Sequence, residues 1–351
     1  MTSLERIGVT VQFQEPDRIP CVPLIGGASR RIYGATYADW AQDGELAAKC
    51  QIQAHQLIEY DGITGFIDLA VEAADFGQEV VYPIENTPHP NYANPLIKTP
   101  DDYSKLERFE PTKGPRMKEA IRYVDILMDR LGSDVPVMGL VYSPLGVLEM
   151  LRSADKLFLD CVHYRDAVIQ GLQIVTDVMV DYVKAQAKTG VHAIILSTLF
   201  ASASIMSKRL WLEIEGPFAR QLADTIRECG PMAVVHNCAA GPYFDAMIET
   251  MNPAILSGAN EANDCRDCSE VKKKWGRKVG ICGHVNPAHI LYLGTQDEVK
   301  EECRKEIGEL GEGGGFILAA GCEFPPNASL LNAIAMMEGT KIYGQYKNIE
   351  S

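Results

Sequence analysis

Residue types that bind soft metal ions recur at three places in this sequence. His236 and Cys238 form an H-x-C pair within Val234-Val235-His236-Asn237-Cys238, and Cys322 closes the later run Ala320-Gly321-Cys322. Residues two apart on a strand point to the same face, so an extended run around His236 aims imidazole and thiol at one spot. A cysteine from the end of another strand would supply a third ligand. Two thiolates and one imidazole suit Zn²⁺, and three protein ligands with one exchangeable position is the catalytic pattern. Glu261 is the candidate for a fourth ligand that substrate displaces, with a surface salt bridge as its alternative use. The same residues also have plainer uses: buried cysteines fill small apolar gaps, and a strand-end histidine can satisfy backbone groups. Two other cysteine sets compete. Cys265 and Cys268 form a C-x-x-C inside Asn263-Asp264-Cys265-Arg266-Asp267-Cys268, which reads as half a zinc knuckle or a redox pair, although no second C-x-x-C completes it. Cys282, near another strand end, could replace one ligand.

Such ligands meet only if the scaffold gathers strand ends. Eight short apolar, β-branched runs alternate with longer helical patterns: Ile19–Ile25, Gly62–Leu69, Val135–Tyr142, His192–Leu199, Met232–Cys238, Ala254–Asn260, Lys278–Val285 and Gly315–Cys322. Each is too apolar to be half-solvated, which fits strands covered on both faces of a parallel sheet. Between them, Arg165–Thr189 carries Val168, Leu172, Val175, Met179, Tyr182 and Val183 three or four apart, with Gly190 as its stop. Trp211–Cys229 and Glu298–Leu310 read as helices in the same way. Eight β-then-α units predict an α/β fold, a single-domain (β/α)8 TIM barrel over residues 1–351. An open doubly wound sheet is the rival, but no G-x-G-x-x-G follows any strand. The stretch Glu72–Gly114 breaks the alternation with Pro83, Pro88, Pro90, Pro95, Pro100 and Pro111, and is expected to be an irregular rim insertion after the second strand.

In a barrel of this kind, function sits at the C-terminal strand ends. Taken in order, those ends present Arg30 and Arg31, Glu72, Tyr142, Ser197 and Thr198, His236 and Cys238, Asn260 and Glu261, His284 and Asn286, and Cys322. The chain has 351 residues and a formal net charge of −14, which argues against a nucleic-acid partner. No run of about 18 apolar residues exists to span a membrane. Met1-Thr2-Ser3-Leu4-Glu5-Arg6 has neither the basic start nor the apolar run of a signal peptide, and the ten cysteines fall at irregular spacings. A cytoplasmic protein with free or metal-bound thiols is expected.

The H-x-C, the segment Gly283-His284-Val285-Asn286-Pro287 and Ala320-Gly321-Cys322 occur in the order seen in the uroporphyrinogen decarboxylase superfamily. Pro16-Asp17-Arg18-Ile19-Pro20 and Ser143-Pro144-Leu145-Gly146 match as well, so the resemblance covers nearly the whole chain. More narrowly, the chain resembles the zinc-dependent methyltransferases of that superfamily, which act on coenzyme M, chloromethane and methoxyaromatic compounds. The resemblance implies zinc on His236, Cys238 and Cys322, and a separate corrinoid protein docking at the barrel mouth. The chain has no D-x-H-x-x-G for binding a corrinoid itself. Some positions depart from the family. Gly26-Gly27-Ala28-Ser29-Arg30-Arg31 stands where the decarboxylases carry R-Q-A-G-R, Ala239 replaces a glycine, and Ser197 or Thr198 replaces an aspartate. Gly283-His284-Val285-Asn286-Pro287 stands for G-N-x-D-P. Two directions of methyl transfer fit one zinc. The expectation is donor-side O-demethylation of a methoxylated aromatic, with zinc as Lewis acid on the leaving oxygen. The alternative is transfer from the corrinoid to a thiol of coenzyme M type, and a decarboxylase or a non-catalytic tetrapyrrole- or corrinoid-binding protein comes third. Tyr33, Tyr82, Tyr92, Tyr142, Phe200 and Phe324 are the aromatics that could stack on a ring.

Overall fold

The computed structural model describes residues 1–346. Eight strands, β1 (Cys21–Val22), β2 (Ile63–Thr64), β3 (Val137–Tyr142), β4 (Ala193–Ser197), β5 (Met232–Asn237), β6 (Ile255–Gly258), β7 (Gly280–Val285) and β8 (Phe316–Ala320), form one parallel sheet. The order β1-β8-β7-β6-β5-β4-β3-β2 rolls the sheet into a barrel that is closed except between β1 and β2. The (β/α)8 expectation is met, and the strands carry the predicted apolar runs because each is covered on both sides. Ala193 and Ile195 of β4, Val234 of β5 and Ile317 of β8 point inward, while Ile194, Leu196, Val235 and Leu318 face the surrounding helices. The register places Ser197, His236, Ser257 and Cys282 side by side on four adjacent strands.

β1 and β2 are shorter than expected. Pro20 and Pro23 flank Cys21–Val22 and have no N–H to donate, so the ladder to β8 is limited to two residues. A polar clamp replaces the missing β1–β2 ladder. The Asp61 N–H donates to Cys21 O at 2.8 Å, and the Asp61 carboxylate accepts from Cys21 N at 2.8 Å. The same carboxylate meets Arg6 at 2.7 Å and Arg18 at 2.6 Å, with the Asp61 side chain only 1% exposed. Arg6 belongs to the helix Ser3–Val11, whose Ile7 packs into the apolar barrel interior.

The helix Arg165–Ala187 buries the expected stripe from Val168 to Val183. The run expected as one helix from Trp211 to Cys229 is two, Lys208–Ile214 and Gly216–Glu228. Pro217 starts the second, and Glu215 at the break is buried, accepting from Trp211 Nε1 at 2.7 Å and Thr198 Oγ1 at 3.2 Å. The proline-rich insertion holds the hairpin Val80–Val81 with His89–Pro90 and the 3₁₀ turn Pro100–Lys105. Its tip is pinned to the rim, since Glu85 O accepts from Arg30 Nη2 and from Asn327 Nδ2, each at 3.1 Å. Among the described residues, no helix is long and apolar enough to cross a membrane.

Candidate metal centre

The ends of β5 and β8 carry the three soft ligands to one point. His236 is the penultimate residue of β5, Cys238 follows its end, and Cys322 lies two beyond the end of β8. Their ligand atoms all lie within 4.8 Å of one another, and each residue is part-exposed. Buried Asn237 holds the turn that lets its neighbours share a face. Its Nδ2 donates to Thr198 O at 2.8 Å and its Oδ1 accepts from Ala239 N at 3.0 Å. Asn260 Nδ2 donates to Cys238 O at 3.1 Å. At the β8 end, Gly321 permits the approach: a Cβ there would sit 2.7 Å from Ala259 Cα. His236 Nδ1 lies 3.1 Å from Ser257 Oγ, so with its proton on Nδ1 the ring leaves Nε2 free to ligate. The two thiols stand within 4.8 Å of each other, and their interaction pulls Cys238 below the ordinary range and pushes Cys322 up to about 12. A donor set of two sulfurs and one imidazole at this spacing would fit one thiophilic cation such as zinc.

A cavity fills the barrel mouth with a volume of about 480 Å³, and His236 and Cys322 form part of its wall. The rest is largely apolar, with Leu24, Phe66, Leu140, Ile195 and Tyr292 among the lining. Of the six aromatics expected at the rim, Tyr142 lines it. Phe200 and Phe324 are core residues, Tyr82 packs beneath Arg116, Tyr92 bonds Glu149 at 3.2 Å and Tyr33 is exposed outside the cavity wall. Phe66, in the irregular chain beyond β2, and Tyr292, at the end of the helical turn Pro287–Tyr292, were not foreseen. Behind Tyr142, buried Glu72 accepts from its N–H at 3.1 Å, and burial pushes that carboxyl up to about 8. Glu323, next to Cys322, accepts from Gly27 N at 2.9 Å and is likewise raised by burial to about 8.

The structure does not bring Glu261 to the three ligands. Its Oε1 is 4.0 Å from Cys268 Sγ, which in turn lies 3.2 Å from His284 Nδ1. Cys282 is buried in the apolar barrel interior, its thiol raised to about 12 by burial, and stands outside the group too. The C-x-x-C forms no metal group among the described residues: Cys265 turns to Asp264 at 3.4 Å while Cys268 faces His284.

Around His284 the chain stores a pH dependence. Burial lowers His284 to about 4, and its N–H donates to Glu306 Oε2 at 2.8 Å. Glu306 is itself raised by burial from 4.5 to about 8. A carboxyl raised in the fold binds its proton more tightly folded than unfolded. Its contribution is therefore intact below pH 4.5 and declines towards pH 8, by up to about 1.4 kcal/mol per pH unit. Glu306→Gln keeps an acceptor for the His284 N–H and cannot ionise. The variant is expected to match the wild type in urea near pH 5 and to unfold at progressively higher urea at pH 7 and 8. Equal midpoints at pH 8 would show that the carboxyl is not held protonated.

A model of the family described as uroporphyrinogen decarboxylase (URO-D) matches residues 2–343. The chain belongs to this family. Among its URO-D relatives, the methylcobamide:CoM methyltransferase MtbA of Methanosarcina mazei is 23% identical, over 97% of this chain and 98% of that one. The methylcobamide:CoM methyltransferase MtaA of Methanosarcina barkeri is 23% identical over 88% of each. A uroporphyrinogen decarboxylase of Syntrophotalea carbinolica is 24% identical over 84% of this chain and 83% of its own. A solved methyltransferase from Methanosarcina mazei superposes with a TM-score of 0.84 at 19% identity, covering 98% of this chain and 99% of that one, which places the fold. Two activities thus occur in the URO-D family around this chain.

Proposed function

We propose that this URO-D family member is a zinc- and corrinoid-dependent methyltransferase that moves a methyl group from the cobalt of a partner corrinoid protein to a thiol. The observation that carries the reading is the group formed by His236, Cys238 and Cys322 at the mouth of a barrel whose full length aligns with methylcobamide:CoM methyltransferases. When bound by those three residues, zinc supplies a site that holds a substrate sulfur as thiolate near neutral pH. The chain's own residues do the rest. Ser257 fixes the His236 ring, Asn237 and Asn260 hold the Cys238 turn, and the apolar wall excludes water from the sulfur. The new C–S bond forms as the Co–C bond breaks, its electron pair stays on cobalt, and the thiol proton leaves to solvent.

Several observations weigh the other readings. The methoxylated aromatic expected from the sequence fits the aromatic wall of Phe66, Tyr142 and Tyr292, but the methyltransferase relatives named above carry coenzyme M in their names. Against a decarboxylase, neither lysine nor arginine among the described residues lines the cavity. Arg30 spends its terminal nitrogens on the carbonyls of Gly27, Pro326 and Glu85 and on Asn327 Oδ1, and Arg31 is held by Ala328 O. A polycarboxylate tetrapyrrole would find no partner there.

The test is direct. Zinc-loaded protein is mixed with methylcobalamin and a thiol, and the loss of the methyl–cobalt absorption is followed beside thioether formation. A parallel mixture holds cob(I)alamin and methoxyarenes. Methylation of a thiol is expected; methyl gain by cobalt from a methoxyarene, with no thiol methylated, would reverse the assignment. Within the same assay, Glu261→Gln is expected to keep its zinc and to change the thiol KM by no more than about twofold, as its resting contacts are with Cys268. A KM shift of about tenfold would place that carboxylate on the metal.

A further inference from the structure

We infer that the thiol admitted to this cavity is uncharged and largely apolar rather than an anionic thiol such as coenzyme M, whose far end is a sulfonate. The inference rests on the thiol-acceptor reading and deepens it. Among the described residues, neither lysine nor arginine lines the cavity. Arg30, buried outside the cavity wall, spends its terminal nitrogens on the groups named above. Arg31 gives Nη1 to Ala328 O and stands exposed on the surface, also outside the cavity wall. Arg116 is buried against Asp68 and donates to Ala41 O at 2.6 Å. The Gly27 N–H is taken by Glu323 at 2.9 Å.

Backbone amides offer no substitute. The helical turn Pro287–Tyr292 directs its N-terminus at the cavity, where Pro287 and Ala288 are wall residues. An exposed N-terminus of this kind attracts anions. Here Asn286 Oδ1 accepts from Ala288 N at 3.0 Å and from His289 N at 2.9 Å, so both amides are capped. At the helix Pro144–Arg152, Ser143 Oγ accepts from Gly146 N at 3.4 Å in the same manner.

What the cavity does present is apolar surface, the hydroxyls of Thr64, Tyr142, Ser197 and Ser257, and one carboxyl, Glu323. Two cysteine thiolates cancel the charge of a divalent ion at His236, Cys238 and Cys322. A substrate thiolate then adds one negative charge to a largely apolar space. A sulfonate would add a second with no cation to meet it, at the cost of its own hydration. An alkyl or aryl group loses no such hydration and gains from contact with Leu24, Phe66, Leu140 and Ile195.

The experiment uses the zinc-loaded full chain and three probes: benzyl mercaptan, its ring-sulfonated analogue and coenzyme M. Calorimetry measures binding, and loss of the methyl–cobalt absorption of methylcobalamin measures transfer. Benzyl mercaptan is expected to bind about tenfold or more tighter than either sulfonate, and to be methylated in preference to them. Tighter or equal binding of a sulfonate overturns the inference, while its methylation leaves the methyltransferase reading standing. Tighter binding of benzyl mercaptan without methyl transfer to any probe supports the apolar cavity and overturns the methyltransferase reading instead. Failure of all three to bind overturns the inference.

Discussion

Cys322→Ala is expected to hold no zinc after dialysis and to lose methyl transfer, while its thermal midpoint moves by no more than a few degrees. Removing this thiol leaves His236 and Cys238, both carried by the end of one strand, and two ligands do not make the three-ligand catalytic pattern. The fold should barely register the change. Cys322 is part-exposed and lies beyond the last residue of β8, whereas the core sits among the strands and around them. The wild type should take up about one zinc per chain and release protons as it does so, because a thiol ligates only as thiolate and Cys322 is held up to about 12. Uptake should therefore strengthen as pH rises. Cys265→Ser with Cys268→Ser serves as the control and is expected to keep full zinc content, since neither thiol belongs to the group. Zinc retained by Cys322→Ala, or lost by the double variant, would refute the ligand set. Loss of cooperative unfolding in Cys322→Ala would make the metal a structural one.

How far the sequence discloses this site depends on what each residue's position rests on. His236 and Cys238 share a face because of strand periodicity, and Cys322 stands two residues past the end of β8, so the cluster that the family resemblance selects over the other cysteines is nominated by local pattern. β3 to β8 are legible for the same reason, to within one or two residues at most ends. The helix break at Glu215 had its sign in Gly216-Pro217, which outweighs the apolar period across it. What local pattern does not determine is the course of the chain beyond a strand end. Glu261 follows β6 but turns to Cys268, Phe66 reaches the cavity from an irregular segment, and Tyr292 reaches it from the short helical turn after β7. Nor does it reveal which charges are free. Arg30 and Arg31 stand at the first strand end in the sequence, yet tertiary contacts with residues 27, 85, 326 and 327 take up the terminal nitrogens of Arg30, and Arg31 stays on the surface with Nη1 on Ala328 O. The proposed substrate preference rests on that balance of committed and uncommitted charge, which local pattern does not disclose, whereas it does nominate the cluster of His236, Cys238 and Cys322.

The largest stability change is expected far from the metal, at the open seam. Asp61→Asn should lower unfolding free energy by about 3–5 kcal/mol, the usual range for breaking a buried ion pair on one side. Both carboxylate oxygens of Asp61 are in use. Oδ1 accepts from Ser3 Oγ at 2.9 Å, Arg6 Nη1 at 2.7 Å and Arg18 Nη2 at 3.0 Å, while Oδ2 accepts from Arg18 Nη1 at 2.6 Å and Cys21 N at 2.8 Å. An asparagine amide turns one of these acceptors into a donor that faces other donors. It also leaves Arg18, whose side chain is 11% exposed, without its carboxylate, although Arg6 keeps Asp17 at 2.7 Å. The loss falls where the sheet can least absorb it, because the Asp61 side chain and N–H stand in for the β1–β2 ladder. Urea unfolding of wild type and variant at one pH measures it, and a difference within about 0.5 kcal/mol would mean that the clamp carries no net stability. Zinc content should be untouched in the folded variant. Asp61 precedes the first residue of β2, whereas the ligands stand at the C-terminal strand ends, so the fold's closure and its chemistry lie at opposite ends of the same strands.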